Sequence, residues 1–248
     1  GTGLVAVGRE ALTANTTANS NTGIGDLALM ANTTGSQNTA VGREALQNNT
    51  TASNNTAVGY QVLEENTTGY NGVAVGNAAL TANTTGANNV AIGANALDAN
   101  TTGSSNNAVG YGALGANTTA NSNTAIGHVA LTSNTIGTRN VAVGAEALDA
   151  NTTASDNTSI GYQSLSANTT GFRNVSVGRG SMVSNTTGSH NTAFGTYTLS
   201  SQTTGGDHNV AIGYGALYAN TTGNSNVGVG NSALVSNTTA DNNTAVGY

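Results

Sequence analysis

"NTAVGREALQNNTTASN" runs from Asn38 to Asn54, and the next seventeen residues, Asn55 to Asn71, read "NTAVGYQVLEENTTGYN". The same phrase, varied at certain places, fills the whole chain. Glycines fall at Gly8, Gly25, Gly42, Gly59, Gly76, Gly93, Gly110, Gly127, Gly144, Gly161, Gly178 and Gly195, always seventeen apart; one extra residue enters, and the series resumes at Gly213, Gly230 and Gly247. A fixed period of this length is the mark of a repeat architecture and takes precedence over any local reading.

Aligning the units on that glycine exposes their columns. A bulky apolar residue always precedes it (Val7, Ile24, Val41, Val58), with Phe194 the one unbranched case, and Ala, Gly or Ser precedes that residue. Leu stands four places after the glycine, except at Met182, usually with Ala before it. Asn stands seven places after, followed by Thr-Thr, with Gln202 and Ile136 as the exceptions. The place just after the glycine wanders through Arg9, Asp26, Arg43, Tyr60, Asn77, Ala94 and Tyr111, as a solvated position does.

Composition narrows the class. Only 6% of the residues are charged, against about 25% in ordinary soluble domains, so the chain does not read as a conventional globular surface. There is no Lys, Pro, Cys or Trp; the basic residues are Arg9, Arg43, Arg139, Arg173 and Arg179. A net charge of −6 argues against a nucleic-acid partner, which needs a basic face. No apolar run is long enough to insert in a membrane as a helix. Low complexity alone would permit disorder, but the unbroken apolar columns argue for a packed interior.

The stretch N-[TV]-A-[VI] alternates and is β-branched, so it predicts a short strand ended by a glycine turn. The following piece, as in "REALQN", fits either one helical turn or a second strand. "NTTG" and "NTTA" read as turns. Seventeen residues cannot close a core alone; stacked units can, because like residues then lie above like residues. The expected fold is therefore all-β, a parallel β-solenoid or β-roll with one coil per seventeen residues over a single array, 1–248. Its core is thin, so lateral association is expected. Alternation puts Ala40, Ala57, Ala74, Ala91 and Ala108 on the opposite face from the Val/Ile column, and leaves open which face is inside. Neither end departs from the repeat, which is read as an expectation of continuation into a longer array.

With these columns in view, the phrase "NTAVG", "NTAVGYQVL" from Asn55 to Leu63, and the "NTTG" turns resemble the head repeats of trimeric autotransporter adhesins of the YadA kind. They are also similar to the shaft repeats of phage-tail-fibre-like proteins. The resemblance extends over the whole chain, although this repeat is longer than the usual adhesin head repeat. It implies stacked β-coils, a homotrimeric rod or filament whose partner is the chain itself, and a place outside the cell, on its surface or on a virion fibre.

Motifs for chemistry are sparse. "GYGALG", Gly110 to Gly115, matches a dinucleotide-binding fingerprint after a predicted strand, but Gly110 is simply the repeat glycine and no acidic residue follows at the required distance. His128, His190 and His208 read as occupying different columns, without metal-ligand spacing. Asp207-His208 lies at the inserted residue and reads as an irregular turn. Glu64 and Glu65 read as solvated surface. No catalytic, cofactor-binding or metal-binding set is expected, and no cofactor.

"NTT" is also a glycosylation acceptor pattern, at Asn15, Asn32, Asn49, Asn66, Asn83, Asn100, Asn117, Asn151, Asn168, Asn185, Asn220 and Asn237. A stacked asparagine ladder is the preferred reading, since glycans ~4.8 Å apart would crowd one another. The functional expectation is a non-enzymatic extracellular fibre or adhesin segment. The alternatives are a glycan-coated filament, or a module binding ice or carbohydrate. Tyr60, Tyr111, Tyr162 and Tyr214 form the candidate binding column. Ice binding is disfavoured because the strand Thr column is interrupted by Val5, Val73, Val90, Val141, Val175, Val210 and Val227.

Overall fold

The computed structural model describes all 248 residues, Gly1–Tyr248, and shows a parallel β-solenoid with one strand per repeat and no helix. It divides into two compact units, Gly1–Ser122 and Asn123–Tyr248. The first unit carries β1 (Val5–Val7), β2 (Thr22–Ile24), β3 (Thr39–Val41), β4 (Thr56–Val58), β5 (Val73–Val75), β6 (Val90–Ile92) and β7 (Asn107–Val109). The second carries β8 (Thr124–Ile126), β9 (Val141–Val143), β10 (Thr158–Ile160), β11 (Val175–Val177), β12 (Thr192–Phe194), β13 (Val210–Ile212), β14 (Val227–Val229) and β15 (Thr244–Val246). Within each unit, strands pair in parallel with their chain neighbours, and like columns stay in register: Ala40 lies beside Ala57 and Val41 beside Val58.

The orientation left open by alternation is settled by room. Ala40, Ala57, Ala74, Ala91 and Ala108 are fully buried, and so is the Leu column from Leu29 to Leu217. The twelve largest fully buried side chains are that column alone, eleven Leu and Met182. A seventeen-residue coil encloses space for one Leu and small residues beside it. The branched residue therefore points outward, and Ile24, Val58, Ile92, Ile126, Ile160 and Ile212 are exposed.

The segment after the glycine is neither a helical turn nor a strand. Its residues alternate between the two helical hands: Glu44 has φ 60° and Leu46 φ 51°, and the same pair of positions repeats along the chain. A Leu in the left-handed region costs about 1 kcal/mol. The compensation is that its N–H and those of the residues two places before and after it point along the solenoid axis, where coils can be joined, while Ala45 N between them bonds back to Gly42 O of its own coil at 3.4 Å. Glu44 N donates to Asp26 O of the preceding coil at 2.9 Å, and Leu46 N to Val62 O of the following coil at 3.0 Å. A helix would turn those groups back on its own segment and leave adjacent coils unconnected.

The repeat glycine is fixed by the same stacking. Gly93 has φ 131°, and a Cβ there would lie 2.6 Å from the Gly110 carbonyl oxygen of the next coil. No other residue type fits both the angle and the approach.

Candidate functional site

The N-T-T asparagines are placed by the turn that follows each Leu. Asn32, Asn49, Asn66, Asn83, Asn100, Asn117, Asn151, Asn168, Asn185 and Asn220 are buried; Asn15 and Asn237, in the outermost coils, are half-buried. Each Nδ2 has two protons, and both have acceptors except at Asn15, which opens the ladder, and Asn220, which follows Gln202; these two donate only to the carbonyl three residues on. Asn66 Nδ2 donates to Asn49 Oδ1 at 2.9 Å and to Gly69 O at 2.9 Å, and Asn83 repeats the pattern on Asn66 and Gly86 at 2.8 and 3.0 Å. The first Thr of each triplet extends the seam, as when Thr67 Oγ1 donates to Thr84 O at 3.0 Å. The second Thr is exposed, as at Thr34, Thr51 and Thr102.

A second ladder runs beside the strand and was not singled out by the motif reading. It consists of the Asn that opens each strand phrase. Asn38 Oδ1 accepts Asn55 N at 3.0 Å, and Asn38 Nδ2 donates to Ala52 O at 2.8 Å. Its signal was available in the sequence, since Asn recurs there from Asn21 to Asn243 with only Gly72 interrupting. These two ladders and the Ala and Leu columns make up the interior.

The outer face of the sheet carries two columns, the Thr/Val position that starts each strand and the branched position that ends it. In the first unit the pairs run Thr22 and Ile24, Thr39 and Val41, Thr56 and Val58, Val73 and Val75, then Val90 and Ile92. This is a ribbon of methyl-bearing side chains at coil spacing, facing solvent.

The tyrosine column does not form a continuous face. Tyr60, Tyr111, Tyr162 and Tyr214 are exposed, but about three coils separate each from the next. Arg43 lies 5.6 Å from the Tyr60 ring centre, and Tyr214 meets Tyr197 edge-to-face at 6.4 Å. In "GYGALG", Gly110 follows β7, but a turn stands where the dinucleotide fingerprint needs a helix. Glu65 does lie at the surface, whereas Glu64 is half-buried and burial raises its pKa.

His190 and His208 share one column, contrary to the reading from spacing. The extra residue is absorbed between Gln202 and Gly206, so eighteen residues here make one coil. The two imidazoles stack at 4.9 Å and 2°. Around them the repeat departs from its pattern more than elsewhere. Both phenylalanines, Phe172 and Phe194, lie here and are exposed. In the core beneath, the Ala columns change to hydroxyls, each partnered: Ser164 Oγ to Ser176 Oγ at 2.8 Å, Ser176 Oγ to Ser181 O at 2.9 Å, and Ser181 to Thr198 at 2.8 Å.

The surface has no pocket, and no group of three His, Asp or Glu side chains is placed to hold a metal. Comparison with protein-family models, with characterised proteins and with solved structures gave no match.

Proposed function

We propose that the chain is a non-enzymatic structural segment of an extracellular or surface fibre that associates with copies of itself along the outer face of its sheet. The observation that carries this reading is the solvent-facing methyl ribbon of Thr22, Ile24, Val41, Val58, Val75 and Ile92, lying over an interior that holds one large side chain per coil. Such a patch on a thin core favours lateral burial, and contiguous exposed apolar surface of this kind marks interaction sites. Use of both Nδ2 protons by ten of the twelve N-T-T asparagines supports an internal role for them over glycan attachment. The exposed second Thr of each triplet remains the accessible acceptor for a coated filament, and the intact mass of native material reports its occupancy.

The test is sedimentation and electron microscopy of the purified chain beside a Val58→Asn, Ile92→Asn variant. Asn is compatible with this face, since Asn107 already occupies the outer position that opens β7. The parent is expected to assemble into rods, and the variant to keep its circular dichroism while dissociating. A parent that stays monomeric at all concentrations defeats the proposal.

One observation favours a second reading, binding to ice. Thr22, Thr39 and Thr56 lie in register, each beside an outward branched residue on the same face. Thermal hysteresis in the parent, abolished by Thr39→Tyr, would select it.

A further inference from the structure

The stretch from Arg139 to His208 places one charged or imidazole side chain per coil in a single column at the corner before the sheet: Arg139, Asp156, Arg173, His190 and His208. The array itself shows what an arginine holds in this setting. Arg139 donates from Nε and Nη2 to the two carboxylate oxygens of Asp156, one coil on, at 2.6 and 2.9 Å. Arg9 does the same with Asp26 at 2.7 and 3.0 Å. This two-pronged geometry is the strong form of arginine–carboxylate pairing.

Arg173 breaks the pattern. One coil on from it stands His190 instead of an acid, with Nε2 at 3.5 Å from Arg173 Nη1. On its other side Asp156 is already engaged by Arg139, and no carboxylate lies within ion-pair distance of Arg173. Its guanidinium sits 5.6 Å from the centre of the exposed Phe172 ring, which meets His190 edge-to-face at 5.0 Å. An exposed cation whose nearest acid, Asp156, is held by Arg139 beyond ion-pair distance, an apolar ring and two imidazole edges thus converge on one corner of an otherwise acidic chain.

We propose that this corner binds an acidic saccharide. A uronate-type carboxylate takes on Arg173 the place that Asp156 takes on Arg139. The apolar face of the pyranose lies against Phe172, and its hydroxyls reach the ring edges of His190 and His208. The geometry favours a sugar over a single-stranded nucleic acid. His190 and His208 cover each other's faces and Phe172 stands at 74° to His190, so no open platform for successive bases is formed. The site stands apart from the fibre reading, since it lies at a corner of the coil and needs no second copy.

The experiment is calorimetric titration of the full chain with an oligogalacturonate. A neutral oligogalactan of equal length, dextran sulfate and an oligothymidylate serve as the other arms. The oligogalacturonate is expected to bind and the neutral chain not to bind. Arg173→Gln and Phe172→Ala should each weaken binding about tenfold or more, with circular dichroism unchanged because both side chains are exposed. Arg9→Gln, which removes an exposed arginine from a different column, should leave affinity within about twofold. The proposal is overturned by no binding of the oligogalacturonate, by equal loss in the Arg9 variant, or by tighter binding of the sulfated or nucleotide chain. Sedimentation of the same samples reads the assembly question separately.

Discussion

Gln202 donates its side-chain amide to the carbonyl of Gly206, four residues on, at 2.5 Å, whereas Asn185 in the coil before it donates to Gly188, three residues on, at 3.0 Å. The one substitution of Asn in this ladder thus coincides with the one inserted residue, and the extra methylene spans the longer loop. The fit is incomplete: Gln202 Oε1 is buried without a partner, where its Asn counterparts accept from the next coil.

The pairing predicts a rescue. Gln202→Asn alone should cost about 1–2 kcal/mol, because the shorter amide cannot reach Gly206. Deleting Gly205, the exposed residue whose Cβ would touch nothing, should by itself also destabilise. Both changes together restore the ordinary unit and close the ladder, so the double variant should be at least as stable as the parent in urea unfolding. Additive losses would show that side-chain length and loop length are unrelated.

The second ladder makes the opposite kind of prediction, a gain. At Gly72 the backbone N–H still donates to Asn55 Oδ1 at 2.8 Å, but no side chain continues the run. Gly72→Asn would supply an Oδ1 for Asn89 N and an Nδ2 for Gly86 O, as Asn89 does for Asn106 N and Gly103 O at 2.9 and 2.7 Å. A Cβ at Gly72 lies 3.0 Å from Asn55 Oδ1, so that amide must shift by a few tenths of an ångström. The net expectation is a gain of about 1 kcal/mol, helped by the lower unfolded-state entropy of a non-glycine residue. A fall in melting temperature would mean that the shift costs more than the ladder gives.

The period, the coil and the role of the glycine were legible because each is dictated by identity between neighbouring units. Gly93 must be glycine for a reason its own column repeats at every coil. Three things were not legible. Alternation shows that Ala91 and Ile92 face opposite ways, but the choice of interior depends on how much volume a seventeen-residue coil encloses. The Ala, Leu and Glu of "REALQN" favour a helix, and the bonds between coils overrule that preference by placing Leu46 at φ 51°. His190 and His208 were separated by counting through the insertion, since a sequence does not say which residue of a lengthened loop bulges outward.

The inside-outside assignment is testable on adjacent residues. Ala91 is fully buried and Ile92 is exposed. Ala91→Arg, or Ala108→Arg in the next coil, forces a charge into the space beside the Leu column and should unfold its unit, at a cost of about 3 kcal/mol or more. Ile92→Arg should change the unfolding free energy of the separated chain by less than about 1 kcal/mol. Limited proteolysis with urea titration separates the outcomes, and a reversed order would invert the assignment of the two faces.

Asp149 supplies a prediction with a pH sign. It follows Leu148, and its Oδ1 is buried without a partner. Burial raises its pKa first of all and the Glu146 charge adds to this, while bonds from its own N–H and that of Ala150 pull the other way. A carboxyl whose pKa is raised on folding binds its proton more tightly in the folded chain, so protonation stabilises the fold and ionisation costs stability. Asp149→Asn should therefore be more stable than the parent at pH 7, by up to about 1 kcal/mol. The advantage should shrink as pH falls through the raised pKa and reach its minimum below the ordinary carboxylate range, about pH 4. Asp98, whose pKa burial also raises, should give a gain of the same sign with Asp98→Asn. Melting curves for the three proteins between pH 3 and 8 decide the matter; a gap that widens on acidification would mean that the ionised carboxylate stabilises this coil.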